Sequence, residues 1–259
     1  MNASGFNESI SFGYKYIIDQ KSLPYNYVLG LEFISGNGEI HRTGVKTSKG
    51  VVGLDLTRLF VGSEGILGIL TEATLKITPK SNYIKTIEIT FNNIESASKT
   101  IISLMTQPVI PYKLEFIDEQ SIKLINTIKN NHYDEKTKAA ILLELDGEEE
   151  LIQIITDKVI NIIKKNKYKS INIADNEKEI KKLWEARKSL SPALREIGGY
   201  KINEDVAVPI SNLTILLNKL KEISNKYNIK IVNFGHAGNG NIHVNLLFDT
   251  EEERNSDNA

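Results

Sequence analysis

The stretch that most limits what this chain can become is Phe234 to Asn245, F-G-H-A-G-N-G-N-I-H-V-N. It holds two of the four histidines, three glycines and three asparagines, and it runs directly into the apolar stretch Val244-Asn245-Leu246-Leu247-Phe248. Glycine lacks a Cβ and tolerates positive φ, so this segment can turn sharply and bring its backbone close to a ligand. Strand alternation beyond the turn predicts His243, Asn245 and Leu247 on one face and Ile242, Val244, Leu246 and Phe248 on the other. His236 stands at one end of the turn and His243 just past the other. Two imidazoles placed this way can converge on one metal ion. The same G-N-G-N is also an ordinary hairpin turn. Spacing alone therefore leaves two readings, a metal or substrate site and a structural turn with two incidental histidines. No third ligand is visible nearby in sequence.

The chain has 259 residues, which suits one large domain or two smaller ones. Lys and Arg number 32 against 33 Asp and Glu, so nothing points to a nucleic-acid surface or a membrane-attracted protein. Cysteine is absent, which excludes disulfides, iron–sulfur clusters held by this chain and thiolate zinc sites. A cytoplasmic protein is the simplest expectation. The first residues, M-N-A-S-G-F, lack the basic and apolar regions of a signal peptide. No apolar run approaches the roughly 18 residues of a membrane span. The end, E-E-E-R-N-S-D-N-A, reads as a polar tail.

Two textures divide the chain. Residues 1–80 are rich in Gly and turns, with a hairpin over 27–42, a short helix after Asp55 and a strand over 68–77. From about residue 81, strands and helices alternate. Helices are expected over 94–105, 119–129, 148–165, 177–197 and 211–227, the last capped by Ser211. The helix over 148–165 presents Leu151, Ile154, Ile155, Val159, Ile162 and Ile163 as its buried stripe. Together these predict an α+β domain with helices on one face of a mainly antiparallel sheet.

Three further places can carry chemistry. Gly62, Gly65 and Gly68 form a loop whose backbone N–H groups can cradle a phosphate or the edge of a flat cofactor, though it also serves as a plain helix-to-strand connection. Arg187, Lys188 and Lys201 are cations near one another in the predicted order of elements, and Arg187 offers a fork suited to a carboxylate; solvated surface charge is the alternative. Glu204 and Asp205 are adjacent in a strand, so they face opposite ways and do not form an acid–base pair.

Four stretches in order, D-L-T-R-L-F-V-G-S-E-G-I-L-G-I-L-T-E-A-T-L at 55–75, W-E-A-R-K-S-L-S-P-A-L at 184–194, K-I-N-E-D-V-A-V-P at 201–209 and the opening motif, resemble the FAD-linked D-2-hydroxyacid dehydrogenases and oxidases. These are the glycolate oxidase, D-lactate dehydrogenase and D-2-hydroxyglutarate dehydrogenase type. The resemblance covers nearly the whole chain. It implies that residues 1–80 are the second half of a FAD-binding domain of the vanillyl-alcohol-oxidase-like kind. Residues 81–259 would then be a cap domain of mainly antiparallel sheet covered by helices, incomplete at its end.

The resemblance also implies roles. Asn2, Ala3 and Gly5 match the small-residue loop against the flavin. Ser63, Glu64, Gly65, Gly68 and Ile69 match the loop that touches FAD through backbone groups. Arg187 and Lys201 match the cations that hold the substrate carboxylate, with Ser191 one turn beyond Arg187. His236 and His243 match ligands of a divalent metal, commonly zinc, and Asn245 matches a substrate contact, so His243 and Asn245 carry the catalytic role. The implied reaction takes a 2-hydroxy acid such as lactate or glycolate to the 2-oxo acid. The hydride goes to the flavin, and an electron-transferring flavoprotein, a quinone or an iron–sulfur subunit is the onward acceptor. Such an enzyme is cytoplasmic, or peripheral at the membrane through its partner.

The departures are specific. The family's Gly-rich pyrophosphate loop and its acidic metal ligand with a neighbouring His are not in this sequence. The family's G-D-G-N is G-N-G-N here, with Asn239 in place of Asp, and Leu54 replaces the usual aromatic after Gly53. The chain therefore reads either as a piece of the enzyme, as a remnant acting at most as a binding module, or as half of a split enzyme.

Overall fold

A computed structural model of the chain describes residues 27–47, 50, 53–77, 81–129, 132–174, 176–197 and 199–255. The chain separates into two compact units, Met1–Lys80 and Ser81–Ala259.

The first unit is built on a three-stranded antiparallel sheet. Strand β1 (Val28–Ile34) is central, β2 (Ile40–Gly44) pairs with it through the expected hairpin, and β3 (Ile69–Leu75) closes its other edge. The short helix α1 (Leu56–Phe60) starts where Asp55 accepts a hydrogen bond from the Arg58 amide. Phe60 and Val61 pack on Val28, Leu31 and Phe33 to make a small core.

The second unit is α+β. Its strands are β4 (Tyr83–Phe91), β5 (Lys113–Asp118), β6 (Ala139–Gly147), β7 (Ser170–Ala174), β8 (Tyr200–Ala207), β9 (Lys230–Gly235) and β10 (Asn241–Phe248). They form one sheet in the order β7-β4-β6-β5-β9-β10-β8, antiparallel at every pairing. The helices are α2 (Ile94–Met105), α3 (Glu119–Ile128), α4 (Glu149–Lys164), α5 (Glu177–Lys188), α6 (Leu190–Ile197), α7 (Leu213–Tyr227) and the short α8 (Glu251–Arg254).

Helices cover both faces of this sheet, which corrects the one-face expectation. Ile87, Ile89, Phe116, Ile141 and Val244 point to one side, under α2, α4 and α7. Ile117, Ala140, Val232, Phe234 and Leu247 point to the other, under α3 and α6, while Leu142 meets α5. The reason is legible in β6. Ala139 to Leu143 is an unbroken apolar run, each residue 0% exposed, where a half-wet strand would alternate.

Three smaller expectations also change. The predicted helix over 177–197 is broken at Ser189, because Pro192 has no N–H for the Lys188 carbonyl and its ring would strike that turn. Ser189 closes α5 through its amide to Glu185, and Pro192 falls harmlessly in the first turn of α6. Ser211 does not cap α7; a 3-10 turn over Ile210–Asn212 leads into it, with Asn212 at the boundary. In α4 the inward positions are Ile152, Thr156, Val159 and Ile163, while Leu151 and Ile154 are more than half exposed. Isoleucines at adjacent positions made the phase of that stripe ambiguous. No helix among the described residues is long and apolar enough to cross a membrane.

Candidate functional site

The α3/α6 face of the sheet carries a polar cluster where β5, β9, β10 and β8 run side by side. Alternation on β10 is as expected: Ile242, Val244 and Phe248 enter the large core, and Leu247 enters the opposite one. His243 and Asn245 therefore share the cluster's face. The register between β10 and β8 places Asp205 opposite His243, Asn203 opposite Asn245 and Lys201 opposite Leu247. Lys201 thus lies on the same face, exposed to solvent.

Past β9 the backbone leaves the sheet at His236 and makes a 3-10 turn, Ala237–Asn239, before Gly240 returns it. Gly240 has φ 71, and a Cβ there would lie 2.0 Å from the Val208 carbonyl oxygen. Only glycine permits this close crossing. The turn sets the rings of His236 and His243 edge to face, 5.1 Å apart between centroids at 81°.

Each imidazole is held through Nδ1 by a carboxylate. The Glu115 Oε1 atom lies 2.5 Å from His236 Nδ1, and Asp205 Oδ1 hydrogen-bonds His243 Nδ1. A carboxylate only accepts, so each Nδ1 donates its proton, and in the neutral ring Nε2 is then the nitrogen able to act as a ligand. This is the arrangement that orients metal-ligating histidines. His236 and His243 keep partly exposed side chains, 33% and 23%.

Glu115 also receives Arg187. The guanidinium places Nε and Nη2 each 2.9 Å from Glu115 Oε2 and lies 4.4 Å over the Phe234 ring. At 11% exposure the Arg187 side chain is not a solvated surface charge. Its ion pair within the protein was not foreseen. Asn245 is buried, and its amide donates to the Val232 and His243 carbonyls, so it braces β10 and the His243 backbone. Ser191 is exposed at the start of α6.

Sequence reasoning missed Glu115. Its signal was a glutamate in the middle of K-L-E-F-I-D, a strand whose neighbours are apolar on both sides; a buried carboxylate requires a partner. Asp205 was weighed only against Glu204, and the strand pairing that brings it to His243 spans 38 residues.

For a metal, the donor chemistry fits as far as it goes. Two imidazoles with fixed tautomers supply two ligands. Among the described residues no group of three or more His, Asp or Glu is placed to hold an ion. For FAD, the loop of the first unit presents backbone in unusual conformations: Gly62, Glu64 and Gly65 have φ 83, 52 and 82. Glu64 is exposed and Ser63 and Gly65 partly so, with Gly68 and Ile69 leading into β3. That fits one edge of a flat cofactor. Asn2, Ala3 and Gly5 lie outside the described residues.

Comparison with known proteins fits this picture. Residues 80–259 match the family of FAD linked oxidases, C-terminal domain. The chain is 40% identical over 224 residues to the glycolate oxidase subunit GlcD of Bacillus subtilis, covering 86% of this chain and 48% of that protein. It is 32% identical to GlcD of Escherichia coli K12, covering 77% of this chain and 40% of that one. To the mitochondrial cytochrome-type D-lactate dehydrogenase of Arabidopsis thaliana it is 29% identical, covering 88% of this chain and 40% of the relative. The chain thus spans half or less of the length of these relatives. Among solved structures, p-cresol methylhydroxylase with substrate bound superposes with a TM-score of 0.67 at 16% identity, over 88% of this chain and 53% of that one. Alkyldihydroxyacetonephosphate synthase gives 0.63, also at 16%, over 85% and 46%. At that identity the likeness shows the fold.

Proposed function

This chain belongs to the FAD linked oxidases through their C-terminal domain, and we propose that it acts in the FAD-dependent oxidation of a small D-2-hydroxy acid, of lactate or glycolate type, to the 2-oxo acid. The observation that carries the reading is the pair of imidazoles with carboxylate-held Nδ1 atoms beside a buried guanidinium. FAD, when bound, supplies the hydride acceptor, and a divalent metal such as zinc supplies a positive charge that acidifies a bound hydroxyl.

The chain's own residues do the rest. His236 and His243, oriented through Nδ1, would hold the metal near the substrate hydroxyl through Nε2. Lys201 and the remaining N–H groups of Arg187 attract the substrate carboxylate and fix which way its α-carbon faces. Ser191, exposed at the start of α6, would offer a hydroxyl to the substrate. Asn245 keeps His243 in place through the backbone. The substrate loses a hydride, which FAD would accept when bound, and a hydroxyl proton, which passes to solvent, so the reaction balances as a two-electron oxidation. In the first unit, Ser63, Glu64, Gly65, Gly68 and Ile69 would meet the flavin through main-chain groups. The onward acceptor is an electron-transferring flavoprotein, a quinone or an iron–sulfur subunit. Purified chain should carry the visible absorbance of flavin and reduce an artificial dye with D-lactate or glycolate. A colourless protein that reduces no dye overturns the reading for this chain.

A second reading is favoured by the surface of the first unit. Leu54, Ile66 and Ile77 are 88%, 85% and 76% exposed, three large apolar side chains that a second polypeptide could cover. On this reading the chain works as half of an enzyme, completed by a separate polypeptide. Flavin retention only on co-expression with such a polypeptide distinguishes it from the first.

A further inference from the structure

We propose that one internal water molecule is held between Thr86, Glu144 and Trp184, and that it fastens α5 to the sheet one turn before Arg187. The inference goes beyond the functional reading above and rests on none of FAD, metal or substrate.

The site begins as a row of side chains. Strand register sets Ala174 beside Thr86, Thr86 beside Glu144 and Glu144 beside Lys113, across β7, β4, β6 and β5. Direct partners across a ladder put their side chains on one face of the sheet. That face is the one under α5, because Ala174 packs there with Leu142 and Leu183. Trp184, the only tryptophan of the chain, joins the same cluster, and its ring lies 5.0 Å from the Lys113 ammonium at the far end of the row. The indole is thus bracketed over Thr86 and Glu144.

Apolar side chains would close such a layer with no further demand. This one holds polar atoms that need partners. Thr86 is 0% exposed, and its Oγ1 has no hydrogen-bond partner among the described residues. The same holds for Trp184 Nε1, a buried atom in a residue that is partly exposed as a whole. Glu144 is buried, and Lys113 Nζ lies 2.6 Å from its Oε2, but that contact is an ion pair without the alignment of a hydrogen bond. Buried groups of this kind are satisfied in nearly all native proteins, by other protein groups or by internal water.

The three groups are complementary in kind. An indole only donates, a carboxylate only accepts, and a hydroxyl does both. None of the possible direct bonds among them is made. The link needs one more member that both accepts and donates, and water is the smallest. It takes the Trp184 N–H, gives a proton to Glu144 Oε2 and exchanges a third bond with Thr86 Oγ1. Three bonds are the usual number for an internal water.

The position gives this water a consequence. Arg187 follows Trp184 by three residues on α5, so both project from one side of the helix. Glu115 follows Lys113 by two residues on β5, so both face α5. The polar row and the Arg187–Glu115 ion pair are therefore neighbouring rungs between helix and sheet. A water on the first rung holds the pitch of the helix that carries the cation on the second.

The test is a crystal structure of the full chain at a resolution that shows ordered water, with Thr86→Val beside wild type. The indole N–H, a single resonance in this chain, is followed by NMR in solution. Wild type is expected to show a water within hydrogen-bond distance of Trp184 Nε1, Thr86 Oγ1 and Glu144 Oε2. Thr86→Val removes the hydroxyl at constant shape. It is expected to lose that water and to move the indole resonance upfield as its acceptor goes. Wild-type density with no water there, or with Nε1 bonded directly to a protein oxygen, overturns the proposal even if the variant fails to fold. So does a folded variant whose water stays in place or whose indole resonance does not move.

Discussion

Asp205 and His243 stand directly opposite each other on β8 and β10, and the carboxylate of one accepts from Nδ1 of the other. Asp205 is half in water, so its removal costs the fold little, within about 1 kcal/mol. Its effect should fall on the imidazole it orients. Asp205→Ala is expected to weaken zinc binding by about 10-fold or more while leaving the unfolding midpoint nearly unchanged. Titration calorimetry beside a denaturation curve checks both parts.

Arg187 behaves in the opposite way. Arg187→Met removes the guanidinium that offsets the charge of the buried Glu115 carboxylate, and the expected loss of stability is about 3 to 5 kcal/mol. The double change Arg187→Met with Glu115→Leu should recover a large part of it, because the buried carboxylate goes with the guanidinium. Urea denaturation of the two single variants and the double gives the coupling directly.

The turn between the histidines separates two glycines. Gly240→Ala forces a Cβ against the Val208 carbonyl at 2.0 Å in a left-handed backbone, and should cost about 2 kcal/mol or more. Gly238→Ala has Leu114 and Met105 side-chain atoms as its nearest neighbours, at 3.5 Å and beyond, and should stay within about 1 kcal/mol. Thermal unfolding of the pair shows whether the close crossing or the turn as a whole demands glycine.

Asp118 gives the second unit a pH signature. Burial pushes its carboxyl from 3.8 up to about 6, against hydrogen bonds from Ser121 and Asn233 that pull it down. Between about pH 4 and pH 6 the folded state therefore keeps a proton that the unfolded chain has released. The stability tied to this group is fully present below that window, falls as pH rises through it, and is level above. A gap of about 2 units corresponds to about 3 kcal/mol. The advantage of wild type over Asp118→Asn should shrink by roughly that amount from pH 4 to pH 7, read from denaturation curves.

Much of this was readable in the amino acids because it depends on local period. The hairpin of β1 and β2, the strands on either side of the glycine turn, and the sharing of one face by His243 and Asn245 follow from alternation alone. The sequence-level resemblance also named the family that the comparison then showed. What alternation cannot tell is which strands become neighbours. Glu115 lies 121 residues before His236, and Arg187 lies 72 beyond Glu115. Their meeting is a property of strand order, not of any one stretch. The break at Ser189 is itself local, since Pro192 cannot supply the N–H that would carry one helix through the Lys188 carbonyl.

One consequence of β10 concerns proofreading. Ile242, Val244 and Phe248 are pinned in the large core at alternate positions, with His243 and Asn245 between them. A slip of one residue against β8 or β9 would swing both polar groups into that core and push the apolar ones into the site. No folded, stable molecule with a mis-set strand is available to be mistaken for a working one. Damage to the apolar positions of this strand should therefore appear as lost protein before it appears as altered chemistry.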